Sequence, residues 1–134
     1  MNKKIMAIIY SEKGNFLLLK MNPKVLKQEG WFVVTGSTDG EDFEKAARRE
    51  IEEETGIKES ISIKPTKYFS EYEWPKNSGK MHHEKAFLVK VKEQLIKLSE
   101  EHLDYKWINE KEFLKEIAWE GDIDELKHIL EEIK

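Results

Sequence analysis

The chain has 134 residues, of which 39% are hydrophobic and 37% are charged, and its net charge is −4 at pH 7. This composition is typical of one soluble globular domain, residues 1–134, and excludes an intrinsically disordered chain. No apolar run approaches the roughly 20 residues of a membrane span, and the absence of cysteine excludes disulfides and thiolate metal sites. We therefore expect a cytoplasmic protein with no membrane partner.

The distribution of charge bears on the kind of partner. Lys and Arg are scattered along the chain rather than gathered in one segment. This argues against a long nucleic acid as partner, because such binding needs a basic patch or stripe. A small polyphosphate needs only local positive groups or a metal ion, so a small-molecule nucleotide or another diphosphate-containing substrate is compatible with these numbers. A homodimer is left open.

The first half of the chain predicts a hairpin, a further strand and one helix. The β-rich runs KIMAIIY and NFLLLKM flank SEKG, in which Gly14 is the turn residue. PKVLKQEG is predicted to be a loop, and WFVVTG to be a strand ending at Gly36. A helix is predicted to begin near Asp42 and to end at Gly56. Its buried stripe recurs at spacings of three and four residues and consists of Phe43, Ala46, Ala47 and Ile51.

The second half predicts more strands and two closing helices. ISIKPTKYFSEYEW is predicted to form one or two strands interrupted by Pro65, and PKNSGKMHH an exposed turn. EKAFLVKVK and LDYKWIN are predicted strands, and the segments around Phe113 and Ile123–Ile133 are predicted helices. Strands mixed with one central and two terminal helices indicate an α/β sandwich around a mixed sheet.

The central helix is unusually acidic, with seven acidic residues among the 18 from Gly40 to Ile57. At about 100° per residue, Glu50, Glu53 and Glu54 fall within an arc of roughly 100°. Carboxylates this close raise each other's pKa and destabilise the helix unless a cation lies among them. A solvated acidic face is the alternative. The adjacent apolar stripe, and Arg49 as a residue that can orient a carboxylate, favour a site for Mg²⁺ or Mn²⁺.

The same segment resembles the signature box of the Nudix hydrolases. That box runs Gly, five residues, Glu, seven residues, then Arg-Glu-apolar-any-Glu-Glu-any-Gly-apolar. The positions that match at the same spacing are Glu41, Arg49, Glu50, Ile51, Glu53, Glu54, Gly56 and Ile57. One position departs, because the leading Gly falls on Thr35 and Gly36 stands one place later. The resemblance implies a Nudix-like α/β/α sandwich with a central mixed β-sheet.

Further segments resemble one branch of this family, the bacterial dATP or dihydroneopterin triphosphate pyrophosphohydrolases. They are WFVVTGSTDGE, AIIYSEKGNFLLLK, HEKAFLVKV and EEHLDYKWI. The resemblance implies a metal-dependent pyrophosphohydrolase that converts a (deoxy)nucleoside triphosphate such as dATP, or a pterin triphosphate, to the monophosphate and pyrophosphate. One alternative is an asymmetric diadenosine tetraphosphate hydrolase, since these enzymes carry a similar late motif after an LS pair. The other is a non-catalytic nucleotide-binding regulator on the same fold.

The resemblance also implies roles for individual residues. Glu50, Glu53 and Glu54 are expected to bind the metal, Mg²⁺ or Mn²⁺, and Glu53 is the first candidate to accept a proton from the attacking water. Arg49 is expected to hold a carboxylate of the box in place. Thr35 and Lys20 are candidates for substrate contact, Thr35 through its hydroxyl or, toward the metal, its carbonyl.

Several residues outside the box compete for additional roles. Glu84, at the start of a strand, is the first candidate for a further metal ligand, and Glu101 is an alternative base or ligand. His82 and His83 are expected in an exposed turn and, as neighbours on an extended chain, to point to opposite faces. His102 is expected to be a surface or packing residue.

Overall fold

The computed structural model describes residues 2–133, so residues 1 and 134, the ends of the predicted domain, lie outside the described residues. The strands are β1 (Asn2–Ser11), β2 (Asn15–Met21), β3 (Trp31–Phe32), β4 (Val34–Ser37), β5 (Ser62–Glu73), β6 (Met81–Val91) and β7 (His102–Asn109). The helices are α1 (Pro23–Leu26), α2 (Phe43–Thr55), α3 (Glu110–Glu116) and α4 (Ile123–Glu131). None of the helices between residues 2 and 133 combines the length and the hydropathy that crossing a bilayer requires.

The strands form a mixed sheet in the order β3-β2-β1-β6-β5. β1 and β6 run parallel, in register from Asn2 opposite His82 to Ser11 opposite Val91, and the other pairings are antiparallel. β4 adds to the first part of β1, and β7 adds to β2. The predicted mixed sheet is confirmed, with β1 at its centre.

Alternating side chains of β1 supply two separate cores. Ile5, Ala7 and Ile9 are buried on the face covered by α2. Met6 and Ile8 are buried on the opposite face, which α3 and α4 cover. This alternation follows from the period of two in a strand, and its result is the expected α/β/α sandwich.

The boundaries of α2 follow the predicted local signals. The side chain of Asp42 caps the helix by accepting a hydrogen bond from the backbone N–H of Lys45 at 2.8 Å. Gly56 ends the helix in the left-handed conformation, with φ of 78°, and its N–H donates to the carbonyl of Glu52. Local hydrogen bonds therefore fix the residues at which α2 begins and ends.

Two local predictions need correction. The segment predicted as a loop after β2 begins with the helical turn α1, because Asn22 caps it and Pro23 occupies the first helical position. Pro65 does not divide β5, since the strand continues past it with a shift in its pairing to β6 before Phe69. An edge strand tolerates a proline because the missing N–H need not join a ladder.

Candidate functional site

Helix α2 presents its glutamates at the edge of its buried stripe. Ala46, Ala47 and Ile51 pack into the first core. The side chains of Glu50 and Glu54 are 12% and 6% exposed, whereas that of Glu53 is 57% exposed. The helix thus holds two carboxylates against the protein and one toward solvent.

Arg49 ties this helix to the loop that precedes it. Its Nε donates to Glu41 at 2.6 Å, its Nη1 to Glu50 at 2.7 Å, and its Nη2 to the carbonyl of Ser37 at 2.8 Å. Nη1 also lies 3.5 Å from Glu53. The bonds that Arg49 donates to Glu41, above all, and to Glu50 raise the pKa of Arg49 above its ordinary value. The guanidinium thus contacts Glu50 on the helix, and Glu41 is its partner in the preceding loop.

Gly36 lets strand β4 approach α2 closely. A Cβ atom at this position would lie 2.2 Å from Cδ of Glu50 and 2.6 Å from its Oε1. Any larger residue would therefore displace the Glu50 carboxylate. The glycine that stands one place late in the box is the residue whose missing side chain makes room for Glu50.

Glu54 lies buried beside the turn that precedes β7, where it meets Glu101 and His102. One carboxylate oxygen or ring nitrogen from each of the three lies within 4.8 Å of the others. Burial, followed by the neighbouring Glu101, raises the pKa of Glu54 to about 10. Two carboxylates so placed cannot both be ionised without a counter-charge, so this site takes up a proton or a cation.

The four carboxylates form one electrostatic unit. The pKa of Glu50 is raised, mainly by burial and further by Glu53 and Glu101, although Arg49 opposes the shift. Glu50 and Glu53 in turn contribute to the raised pKa of Glu54. The structure thus brings together the three box glutamates and adds Glu101. We call these four residues the carboxylate cluster.

The donor set of this cluster fits a divalent cation. Carboxylate oxygens are the ligands that Mg²⁺ and Mn²⁺ prefer. Nδ1 of His102 is buried at the cluster and has no hydrogen-bond partner among residues 2–133. Burial also lowers the pKa of His102, which favours the neutral ring. The unpartnered nitrogen and the neutral ring both indicate that a cation, rather than a protein group, would bind Nδ1 of His102.

Glu84 does not lie with the carboxylate cluster. On β6, Phe87 and Val89 face the core under α2, whereas Ala86 and Leu88 face the opposite core. Glu84 shares the face of Ala86, because residues two apart on a strand point the same way. The expectation that its carboxylate reaches α2 is therefore wrong, and Glu101 takes that place. The face on which Glu84 lies is set by the register of β6 against β1, which pairs residues far apart in the chain.

Burial raises the pKa of Glu84 to about 7, against the opposing effects of Lys4 and Tyr72. Because the usual value is 4.5, the native state holds a proton that the unfolded chain releases, and stability falls as pH rises from about 4.5 to about 7. Glu84→Gln removes this penalty. We expect its unfolding free energy to exceed that of the parent by up to about 3 kcal/mol at pH 8, with little difference at pH 5. Urea unfolding with EDTA at both pH values measures this.

The exposed Glu59 supplies the control, since Glu59→Gln should leave the difference between the two pH values unchanged. Parallel pH dependences for Glu84→Gln and the parent protein would show that Glu84 is ionised in the folded state, contrary to the expectation.

His82 and His83 lie in β6, so the prediction of an exposed turn is wrong for both. His82 is 6% exposed, its Nε2 lies 2.9 Å from the carbonyl of Trp74, and its ring stacks on Tyr72. His83 points to the other face, where its Nδ1 is 3.6 Å from Glu71. Opposite orientations were expected from the period of the strand. The hairpin β5–β6 extends further than its turn-rich sequence suggests.

The side chains of Thr35 and Lys20 point away from the face of the sheet that α2 covers. Thr35 pairs with Met6, whose side chain enters the core opposite α2. Residues directly opposite on paired strands point to the same face, so the hydroxyl of Thr35 faces away from α2. Lys20 is exposed and follows Leu19, which faces α2, so it also points to the other face. Their contact with substrate remains a prediction.

Comparison with known proteins places this geometry in a family. A model of the NUDIX domain matches residues 2–128. The chain is similar in structure to the dihydroneopterin triphosphate pyrophosphohydrolase of E. coli, with 23% identity, a TM-score of 0.77, and coverage of 96% of this chain and 95% of that chain. For the MutT protein of Methanosarcina mazei Go1 the identity is 25% and the TM-score 0.77, with coverage of 99% and 95%.

An Ap4A hydrolase of C. elegans, in a binary complex, shows 28% identity and a TM-score of 0.69, with coverage of 90% of this chain and 88% of that chain. No curated protein gives a significant match. The domain match spans the signature box, the carboxylate cluster and both layers of helices. The chain therefore belongs to the Nudix hydrolase family.

Proposed function

We propose that this protein is a divalent-metal-dependent pyrophosphohydrolase. It converts a (deoxy)nucleoside triphosphate such as dATP, or a related pterin triphosphate, to the monophosphate and pyrophosphate. The observation that carries the proposal is the carboxylate cluster, in which the pKa of buried Glu54 is raised to about 10. The substrate class is supported by the segments around Gly36 and after Ser99, which resemble those of the pyrophosphohydrolase branch.

Glu50, Glu54 and Glu101 are the residues that would hold Mg²⁺ or Mn²⁺. A bound ion supplies charge neutralisation on phosphate oxygens and a lowered pKa for water. The protein contributes position: Arg49 fixes Glu50 from one side, and Gly36 leaves it room on the other. Preorganised charge of this kind is the main source of catalysis in phosphoryl transfer.

Glu53 is the proposed acceptor of the proton that the attacking water loses. Its side chain is 57% exposed, so it can meet a water molecule that approaches a bound phosphate chain. The water oxygen forms a bond to phosphorus, the anhydride P–O bond breaks, and the leaving phosphate keeps the electron pair. Glu53 accepts the proton that the water loses. Glu41 is engaged with Arg49 and supports the loop.

Metal binding is expected to stabilise the fold through Glu54. At a free concentration of Mn²⁺ 100 times its Kd, linkage adds about 2.7 kcal/mol to the unfolding free energy. Glu54→Gln should have two effects of opposite sign: higher stability without metal, because a buried acid is replaced by a neutral amide, and a smaller gain with metal. Thermal unfolding in EDTA and in MnCl₂ measures both.

Glu52→Gln is the matched control, because Glu52 is an exposed neighbour on the same helix. It should keep the stability and the metal response of the parent protein. A full metal response in Glu54→Gln would remove Glu54 from the metal site.

A screen with product identification tests the reaction itself. The substrates are dATP and other nucleotides, dihydroneopterin triphosphate and diadenosine tetraphosphate, each with Mg²⁺ or Mn²⁺. Pyrophosphate and a monophosphate are the expected products. Binding of nucleotides without turnover of any of them would overturn the proposal and favour a non-catalytic regulator.

Hydrolysis of diadenosine tetraphosphate is the second candidate. The Ap4A hydrolase of C. elegans is 28% identical over 90% of this chain, and the pair Leu98-Ser99 precedes the Glu101-His102 motif here. ATP and AMP released from diadenosine tetraphosphate, at much higher kcat/KM than pyrophosphate from dATP, would establish this activity instead.

A further inference from the structure

His102 is the histidine at the carboxylate cluster. Among residues 2–133, buried ring nitrogens without a hydrogen-bond partner occur in His82, His83 and His102. Those of His82 and His83 belong to β6, whereas His102 begins β7 and adjoins Glu101. The side chain of His102 is 4% exposed, and its unpartnered Nδ1 lies 4.0 Å from Oε2 of Glu54.

We infer that His102 is a direct nitrogen ligand of the metal site, together with Glu54 and Glu101, and that the site therefore prefers Mn²⁺ or Co²⁺ to Mg²⁺. One ligand atom from each residue lies within 4.8 Å of the other two. Three ligand atoms around one ion, with bonds of about 2.1 Å, are about 3.0–3.6 Å apart. Each of these three atoms would therefore move inward by at most roughly 0.7 Å to close on an ion. The inference rests on the proposed metal-dependent function and adds the identity of a ligand.

A hydrogen bond between His102 and Glu54 does not explain the arrangement. Their separation of 4.0 Å exceeds the range of such a bond. A buried polar nitrogen without a partner is unfavourable, and its presence calls for an explanation such as a bound ion or water. An ion between Nδ1 and the two carboxylates satisfies the ring nitrogen and offsets the repulsion between Glu54 and Glu101.

The backbone around His102 is firmly held, so the ring is presented from a rigid position. His102 pairs with Met21, directly after a register shift in β2 that follows Lys20. The carbonyl of Glu101 accepts a hydrogen bond from the N–H of Asn22 at 2.9 Å. Irregularities of this kind re-aim side chains near functional sites.

The nature of the donors sets the expected metal preference. Mg²⁺ takes oxygen ligands almost exclusively and loses its water reluctantly. Imidazole nitrogen adds affinity for Mn²⁺ and more for Co²⁺, in the usual order of the first-row metals. A site of two carboxylates and one imidazole is therefore expected to favour Mn²⁺ and Co²⁺ over Mg²⁺ more than the all-oxygen site that the box glutamates provide alone.

Pulsed EPR on the protein loaded with Mn²⁺ alone, without substrate, tests the inference directly. We expect modulation from a ¹⁴N nucleus bound to Mn²⁺ in the parent protein, and a changed pattern when the histidines carry ¹⁵N. His102→Gln should lose the nitrogen signal and bind Mn²⁺ at least about tenfold more weakly, with a smaller loss for Mg²⁺. His83→Gln, which also removes a ring whose Nε2 is buried and unpartnered, should keep both the signal and the affinity.

The labelled parent protein needs no substitution, so a His102 variant that fails to fold leaves the test intact. Mn²⁺ bound without nitrogen coupling would overturn the inference and leave the proposed hydrolase standing. Failure of the parent protein to bind Mn²⁺ at all would overturn both. A nitrogen signal that persists in folded His102→Gln would assign the ligand to another residue and also overturn the inference.

Discussion

Glu53→Gln is expected to lower metal-dependent release of pyrophosphate by about 10²- to 10³-fold, the scale at which one transition-state group acts. The substitution removes a negative charge and a proton acceptor while keeping the shape of the side chain. Because that side chain is 57% exposed and its contact to Arg49 is 3.5 Å long, the fold should be unaffected. Initial rates with dATP and Mg²⁺, with circular dichroism melts in EDTA, measure the two effects.

Glu52→Gln serves again as the comparison, since it removes an exposed charge one residue earlier in α2. It should leave kcat/KM within about twofold of the parent value, because surface charges away from the site act weakly. Unchanged release of pyrophosphate by Glu53→Gln would remove Glu53 from the mechanism.

Gly36→Ala is expected to impair both catalysis and stability. Gly36 lies within β4, where its backbone suits any residue, so the effect is purely steric. The added Cβ would sit 2.2 Å from Cδ of Glu50, and the carboxylate must leave its place beside Arg49. We expect a loss of about 1–3 kcal/mol in unfolding free energy, typical of overpacking, and a fall of about 100-fold in kcat/KM.

A double variant separates the steric effect from other causes. In Gly36→Ala with Glu50→Ala, the clash is absent, so stability should exceed the sum expected from the two single changes. Activity should stay low, because Glu50, the proposed metal ligand, is gone. Additive losses of stability would show that a side chain added at position 36 does not clash with Glu50, contrary to what the structure indicates.

The sequence predicts α2 well because its signals are local. Asp42 as cap, Gly56 as terminator and the spacing of the glutamates all act within one helix, and the structure confirms both ends of that helix. The α/β/α layering is also confirmed, since alternation along β1 and the helical stripes are periodic patterns.

Local signals could not predict in the same way which of Glu84 and Glu101 lies near α2. In the sequence, Glu84 begins the predicted strand EKAFLVKVK and Glu101 shortly precedes the predicted strand LDYKWIN. Which of them faces α2 depends on the pairing of β6 with β1 and of β7 with β2, and these registers join residues far apart in the chain. The proximity of His102 to Glu54 could not be predicted for the same reason, although its position directly after Glu101 was a usable signal.

The burial of Glu54 beside Glu101 also has a consequence for the metal-free protein. An apolar or amide replacement at Glu54 would remove the cost of holding two acids together in a buried place. The metal-free fold is therefore less robust than the same fold with a neutral residue there. Under the proposed function, the folded population would depend on the supply of free cation, because a bound ion offsets that cost.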